Sequence, residues 1–289
     1  MRPTGEWGQT VSTDALRVVD AGRATTIQDH GRGGLAHLGV PTAGAVDRGA
    51  HDLVNRLVGN PAGAATIETL GGVTIEALRA LVVARSTDGS RHTLAPGTRL
   101  QLDPPPGDVW AYLAVRGGVD VPAVLGSRSH DTLSGLGPPP VIDGTVLASG
   151  SDPRTDLDTE LAPVRDVDRA VRVWPGPHEH WFVGGRSVLT SRAWTVSSDS
   201  SRVGVRLMAA AIERTSSAEA NVASFGLVEG AIQITPSGEP IVMMSNHPTT
   251  GGYPVIGVVD PLDVGFIAQS PPGTSIRFAP DGPSNALAR

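Results

Sequence analysis

Glycine and proline interrupt this chain so often that long helices cannot dominate it: 36 glycines and 24 prolines are spread over 289 residues. Glycine admits turns that other residues resist, and proline removes a backbone donor and clashes with a continuing helix. The runs between these breakers are short, apolar and β-branched, at 16–19, 65–70, 73–77, 81–84 and 109–115, then at 171–174, 194–196, 203–207, 231–234, 240–244, 255–259 and 275–278. Such spacing predicts a mainly β protein of the barrel or sandwich kind. One helix is well marked, with Asp47 as its cap, Leu53, Val54, Leu57 and Val58 on one face, and Gly59-Asn60-Pro61 as its stop. A shorter helix is expected over 263–269.

The length is near the upper size of a single hydrophobic core, so one large or two mid-sized lobes are expected. Between 150 and 169 the chain becomes acidic and poor in apolar residues, with Asp152, Asp156, Asp158, Glu160, Asp166 and Asp168 around two prolines. The expected organisation is therefore a flexible start over 1–15, a β-rich lobe over 16–150, an acidic connection over 151–169, a second lobe over 170–280 and a tail over 281–289.

Composition removes several chemistries. There is no cysteine, hence no disulfide, thiolate nucleophile or iron–sulfur ligation, and the 23 basic residues are all arginine. Without lysine the chain forms no Schiff base, has no P-loop lysine and cannot itself carry biotin. A net charge of −6 without a basic cluster argues against nucleic acid and anionic membranes as partners. The first residues are polar rather than a charged-then-apolar leader, and no apolar run approaches the length of a membrane helix, so a cytoplasmic protein is expected.

Two segments concentrate hydrogen-bonding groups. Asn246 to Pro254 (NHPTTGGYP) follows a strand-like run and supplies an amide, the His247 imidazole, the hydroxyls of Thr249 and Thr250, the open backbone of Gly251 and Gly252, and Tyr253, one of two tyrosines. The second is Thr25 to Asp47, where Asp29 and Arg32 either lock a tight turn or present a general base and an anion-binding fork. Gly31, Gly33 and Ala36 with Asp52 formally satisfy a dinucleotide fingerprint, but Gly34, Gly39 and Pro41 forbid the helix it requires. His178 and His180 lack a third ligand at a recognisable spacing, so no metal site is predicted. Asp199 and Arg202, with Arg206 beyond, form either an anion-binding cluster or, the simpler expectation, a solvated ion pair.

Longer motifs then align with a known family. TTIQDHGRGG (25–34), HLGVPTAGAVD (37–47), NRLVGNP (55–61), LAVRGGVDVPAVLGSRS (113–129), VWPGPHEHWF (173–182), SDSSRVGVRL (198–207) and GAIQITPSGEPIVMMSNHPTTGGYPVIG (230–257) resemble the KipA family. That family includes the C subunit of 5-oxoprolinase and the allophanate hydrolase subunit 2-like proteins, and is similar to part of the carboxyltransferase domain of urea carboxylase. The resemblance covers about 16–278. It implies a cyclophilin-like β-barrel architecture, placed in the second lobe. It also implies a partner like KipI or the B subunit of 5-oxoprolinase, with a LamB/YcsF-like protein as a possible third component. The implied activity is ATP-dependent hydrolysis of a small lactam or amide by the assembled complex. The alternatives are transfer of a carboxyl group to urea or a related amide from biotin on a separate carrier, and non-catalytic antagonism of a KipI-type kinase inhibitor. The implied site has His247, Asp29 and Tyr253 as catalytic residues, and Arg32, Asn246, Thr249, Thr250, Gly251, Gly252 and Gln233 as substrate-binding residues. The chain departs from the family pattern at Asn246, His247 and Pro248, where an acid and an arginine are usual, at Ala43, and at Pro139-Pro140.

Overall fold

The computed structural model describes residues 14–155, 157, 170–215 and 222–280. The expected tail over 281–289, most of the flexible start and most of the acidic connection lie outside them. The first half builds strands β1 (Asp14–Asp20), β2 (Thr26–Gln28), β3 (Thr66–Thr69), β4 (Val73–Ala77), β5 (Leu81–Arg85), β6 (Ser90–Leu94), β7 (Arg99–Leu102), β8 (Ala111–Val115), β9 (Val119–Asp120) and β10 (Val146–Ser149). The second builds β11 (Val171–Pro175), β12 (Ala193–Val196), β13 (Gly204–Met208), β14 (Phe225–Gly226), β15 (Ala231–Ile234), β16 (Pro240–Met243), β17 (Thr250–Gly251), β18 (Val255–Val259) and β19 (Ser275–Pro280). Three short helices complete it: α1 (Arg48–Leu57), α2 (Ser187–Thr190) and α3 (Val264–Ala268). No helix among the described residues is long and apolar enough to cross a membrane.

The N-terminal strands form two five-stranded sheets, ordered β7-β4-β1-β10-β9 and β2-β3-β8-β5-β6. Alternation on β4, whose Val73, Ile75 and Ala77 are buried, turns one face of the first sheet inward. In the second sheet, β3 and β8 are buried along their whole length, because their other face is covered by α1 and the C-terminal half. The C-terminal strands close a seven-stranded barrel, ordered β11-β18-β15-β16-β13-β12-β19. The ring closes through a parallel pairing of β11 with β19.

One apolar core runs through both halves. Val54 and Leu57 of α1 and the rings of Trp110 and Tyr112 belong to the same buried cluster as Val173, Trp194, Leu207 and Ile232 of the barrel. A separate cluster, including Leu16, Ile67, Ile75 and Leu113, fills the space between the N-terminal sheets.

Helix ends add polar ties across the junction. Asp47 caps α1 by accepting from the Ala50 N–H at 3.1 Å, as its sequence position predicts. Its other carboxylate oxygen accepts from Gln269 Nε2 at 3.1 Å. Gln269, just past α3, also accepts from the Val109 and Trp110 N–H groups at 3.1 and 2.7 Å. Gln269→Leu would strand the buried Trp110 donor and the half-buried Val109 donor, so urea unfolding should show a loss of about 2–4 kcal/mol. A loss under about 0.5 kcal/mol would show that this contact does not tie the halves.

Candidate functional site

Arg202 lies in the turn before β13, where Ser201 N–H bonds to the Gly204 carbonyl and Asn246 N–H bonds to the Arg202 carbonyl. That turn aims its side chain out of the barrel and into the N-terminal half. The expected solvated pair with Asp199 is overturned, because the Arg202 residue is only 6% exposed and its guanidinium is taken up elsewhere. Nη1 pairs with Glu68 Oε1 of β3, Nη2 donates to the Gly44 carbonyl at 2.6 Å and to Ser245 Oγ at 3.3 Å, and Nε donates to Asn246 Oδ1 at 2.9 Å. The Trp110 ring lies 5.8 Å from the guanidinium carbon. Burial pulls the guanidinium down to about 9, so it remains charged at neutral pH, and the charge of Glu229 supports it.

Glu68 is fully buried and doubly engaged on its other oxygen, which accepts from the Val46 N–H at 3.0 Å and the Tyr112 hydroxyl at 2.8 Å. Burial raises the Tyr112 phenol well above its ordinary value, so it stays a donor. Gly44 can bring its carbonyl to Arg202 because it adopts φ +97°, with Gly31 N only 2.9 Å from where a Cβ would stand.

The sequence-selected residues fall into two groups. In the first, Asn246 is completely buried and bridges two partners, accepting from Arg202 and donating through Nδ2 to Asp131 Oδ1 at 2.6 Å. Asp131 in turn places its charge near Arg32. Asp29 and Arg32 do not pair with each other by hydrogen bonds; both grip the 124–129 segment. Asp29 Oδ1 accepts from Gly31 N–H at 2.7 Å and from the Ser127 and Ser129 hydroxyls at 2.6 Å each, while Oδ2 accepts from Arg128 N–H at 2.6 Å. Burial pushes its carboxyl up, but these four bonds outweigh that and hold it below the ordinary value. A carboxylate so filled is a loop anchor. Arg32 Nη2 donates to the Ser129 carbonyl at 2.5 Å, whereas Nη1 is buried with no partner among the described residues.

In the second group, Thr249 to Tyr253 lie against the short strand β14. Thr250 and Gly251 pair with Gly226 and Phe225, and the Thr249 carbonyl accepts from Leu227 N–H at 3.0 Å. Gln233 supports them from below, donating to the Tyr253 carbonyl at 3.0 Å. Gly251 passes so close to Gln233 that a Cβ would stand 2.6 Å from its Nε2. Among the described residues Gly252 has only the Val222 carbonyl near its missing Cβ, and the Tyr253 residue is 42% exposed. No hydrogen bond among the described residues joins this half of the loop to Asp29 or Arg32. His178 belongs to the same side, accepting from Val255 N–H at 3.2 Å between the Trp181 and Phe225 rings.

Sequence reasoning passed over Glu68, Tyr112, Asp131 and Glu229. Glu68 left one signal, a lone acid inside an otherwise apolar strand; Glu229 left none. Glu229 lines a cleft of about 900 Å³ between the halves, together with Asp47, Arg48, Asp52 and Phe266. Its carboxylate is 3.9 Å from Arg48 Nη2. Burial raises the Glu229 carboxyl above its ordinary value, and the charges of Arg48, His247 and Arg202 only partly offset it. His247 itself is buried, with Nδ1 2.8 Å from the Pro248 carbonyl. At the cleft's edge, Asp52 Oδ1 lies 2.6 Å from His30 Nε2 and 2.9 Å from His51 Nδ1.

The bridging role of Asn246 makes a prediction. Asn246→Asp would set a second carboxylate against Asp131, at a position now 2.6 Å from it. At pH 7 this should cost about 2–4 kcal/mol in urea unfolding, recovered on acidification as the pair takes up a shared proton. A variant as stable as the parent at pH 7 would remove the bridge.

Comparison with known proteins fits this architecture. The model of the carboxyltransferase domain, subdomain A and B, matches residues 38–280. The chain is 37% identical to the C subunit of Escherichia coli 5-oxoprolinase, over 91% of this chain and 90% of that protein. It is 32% identical to urea amidolyase of Lachancea kluyveri, over 92% of this chain but 17% of that longer protein. Among solved structures, TTHA0988 superposes with TM-score 0.81 at 31% identity, covering 96% of this chain, which spans only 58% of that one. Kluyveromyces lactis urea amidolyase superposes with TM-score 0.83 at 25% identity, over 94% of this chain and 19% of that one. The chain therefore belongs to the carboxyltransferase domain family of subdomains A and B, and is homologous to the C subunit of 5-oxoprolinase.

Proposed function

We propose that this chain is the component of a 5-oxoprolinase-type system that receives a small lactam or amide in the cleft between its halves, working with a partner like the B subunit of 5-oxoprolinase. The observation that carries the reading is Glu229: its carboxyl stands in that cleft, is biased by burial toward the protonated form, and has Arg48, His247 and Arg202 around it. A carboxyl whose protonated form is favoured by burial can give its proton to an amide nitrogen or oxygen, while the neighbouring Arg48 guanidinium takes up developing negative charge. Arg48, more exposed than Glu229, is placed to hold a substrate carboxylate. Activation by ATP is assigned to the assembled complex, with a LamB/YcsF-like protein as third component. Asp29, a filled loop anchor, positions Arg32 rather than acting as base. Thr249 to Tyr253, with Thr250, Gly252 and Tyr253 exposed, form a surface for the partner.

A second reading is carboxyl transfer from biotin to an amide in the same cleft. The family model and the urea amidolyase relatives favour it. Since the chain has no lysine, the biotin must arrive on another protein.

Coexpression with the two partner proteins should give 5-oxoproline-dependent ATP turnover, which Glu229→Gln lowers at least ~100-fold in kcat. No turnover by the parent complex, with labelled bicarbonate reaching an amide instead, would favour the second reading. Glu229 also has a stability signature. Its folded value lies above its unfolded one, so the cost of ionising it is absent below about 4.5 and grows as pH rises through the folded value. Glu229→Gln should therefore leave Tm unchanged at pH 4 and raise it at pH 8. An equal Tm change at both pH values would contradict the assignment.

A further inference from the structure

A cluster at the rim of the cleft has no part in the proposed amide chemistry. His30 follows β2, whereas His51 and Asp52 sit on α1, and their nitrogen and carboxylate atoms all lie within 4.8 Å of one another. His51 is completely buried, the His30 side chain is 40% exposed and that of Asp52 is 28% exposed. One carboxylate oxygen thus faces two imidazole nitrogens, at 2.6 and 2.9 Å.

We propose that His30 Nε2, His51 Nδ1 and Asp52 Oδ1 form a binding site for a divalent transition ion of the zinc type, at the edge of the inter-lobe cleft. Ring geometry supports it. A metal about 2.0–2.1 Å from each imidazole nitrogen stands roughly 3.2 Å from each ring centre, and a tetrahedral angle then puts the ring centres about 5.2 Å apart. The His30 and His51 ring centroids are 5.3 Å apart with their planes tilted by 50°. Two imidazoles and one carboxylate select zinc, cobalt or nickel over magnesium and calcium, which prefer all-oxygen shells. Three protein ligands leave the fourth position to water, and Asp52 also lines the cleft.

The metal-free arrangement sets the strength of binding. His30 and His51 both donate to Asp52 Oδ1, and His51 Nε2 faces the Asn55 amide nitrogen at 3.5 Å. Asn55 is held in place by bonds to the Ala62 and Ala64 carbonyls at 3.2 and 2.9 Å. A metal replaces both N–H···O bonds and moves the His51 proton to Nε2, against a fixed donor. Micromolar rather than nanomolar affinity follows, because that proton meets a donor where tight sites supply an acceptor. This site does not depend on the proposed reaction.

The test uses the tag-free full chain, stripped with chelator and titrated with Zn²⁺ by calorimetry and with Co²⁺ by visible absorption. One equivalent should bind, with a tetrahedral Co²⁺ spectrum. His30→Gln and Asp52→Asn, both at partly exposed positions, should each weaken binding at least ~30-fold, while His180→Gln should change nothing. No Zn²⁺ binding tighter than about 1 mM by the parent, or equal binding by His30→Gln or Asp52→Asn variants with parental Tm, would overturn the proposal.

Discussion

The structure depends on one buried ion pair. Arg202 leaves the barrel and meets Glu68 in the N-terminal sheet, and the other polar atoms of the two side chains have partners too: the Gly44 carbonyl, Ser245, Asn246, the Val46 N–H and the Tyr112 hydroxyl. Desolvating two charges is expensive, and the pair is tolerated because its geometry is complete on both sides. Its value lies in specificity. An apolar core such as the one joining α1 to the barrel can slide, whereas a guanidinium bound on three nitrogens fixes one register between the halves. That register sets the walls of the cleft, and with them the neighbours of Glu229.

Asn246 shows how the same constraint reaches the loop that stands out in the sequence. The family resemblance implies an acid at this position in relatives. In this chain the residue must accept from Arg202 and donate to Asp131 at once. An amide does both without taking up a proton. This bridge divides the loop: Asn246 and His247 belong to the interior near the junction, whereas Thr249 to Tyr253 belong to a small two-stranded patch against Phe225 and Gly226.

Much of the fold was legible. The apolar runs at 73–77, 231–234 and 255–259 coincide with β4, β15 and β18, and the Asp47 cap and the Gly59-Asn60-Pro61 stop bracket α1. The strands that escaped were short or polar. β6 (SRHTL) and β7 (RLQL) are edge strands with one side to solvent, and their periodicity is diluted by arginine and serine. β1 starts at Asp14, inside the segment expected to be flexible. The site was harder. Motif density singled out Asn246, Asp29 and Arg32, but a motif cannot say which side chains the fold engages, and both Asp29 carboxylate oxygens are engaged. Arg202 looked like half of a surface pair because its partner is distant in sequence: Glu68 is brought to it by the packing of the barrel on the second sheet. Glu229, a single acid before Gly230, carries no local signal at all.

The central claim, that the Arg202–Glu68 pair locks the two halves into one register, is tested most directly by a double-mutant cycle in urea unfolding with Glu68→Leu and Arg202→Met. The account predicts that each single change costs about 3–5 kcal/mol, by leaving a buried charge alone, and that the double variant costs at least ~2 kcal/mol less than the two together. Small and additive losses, each under about 1 kcal/mol, would contradict it.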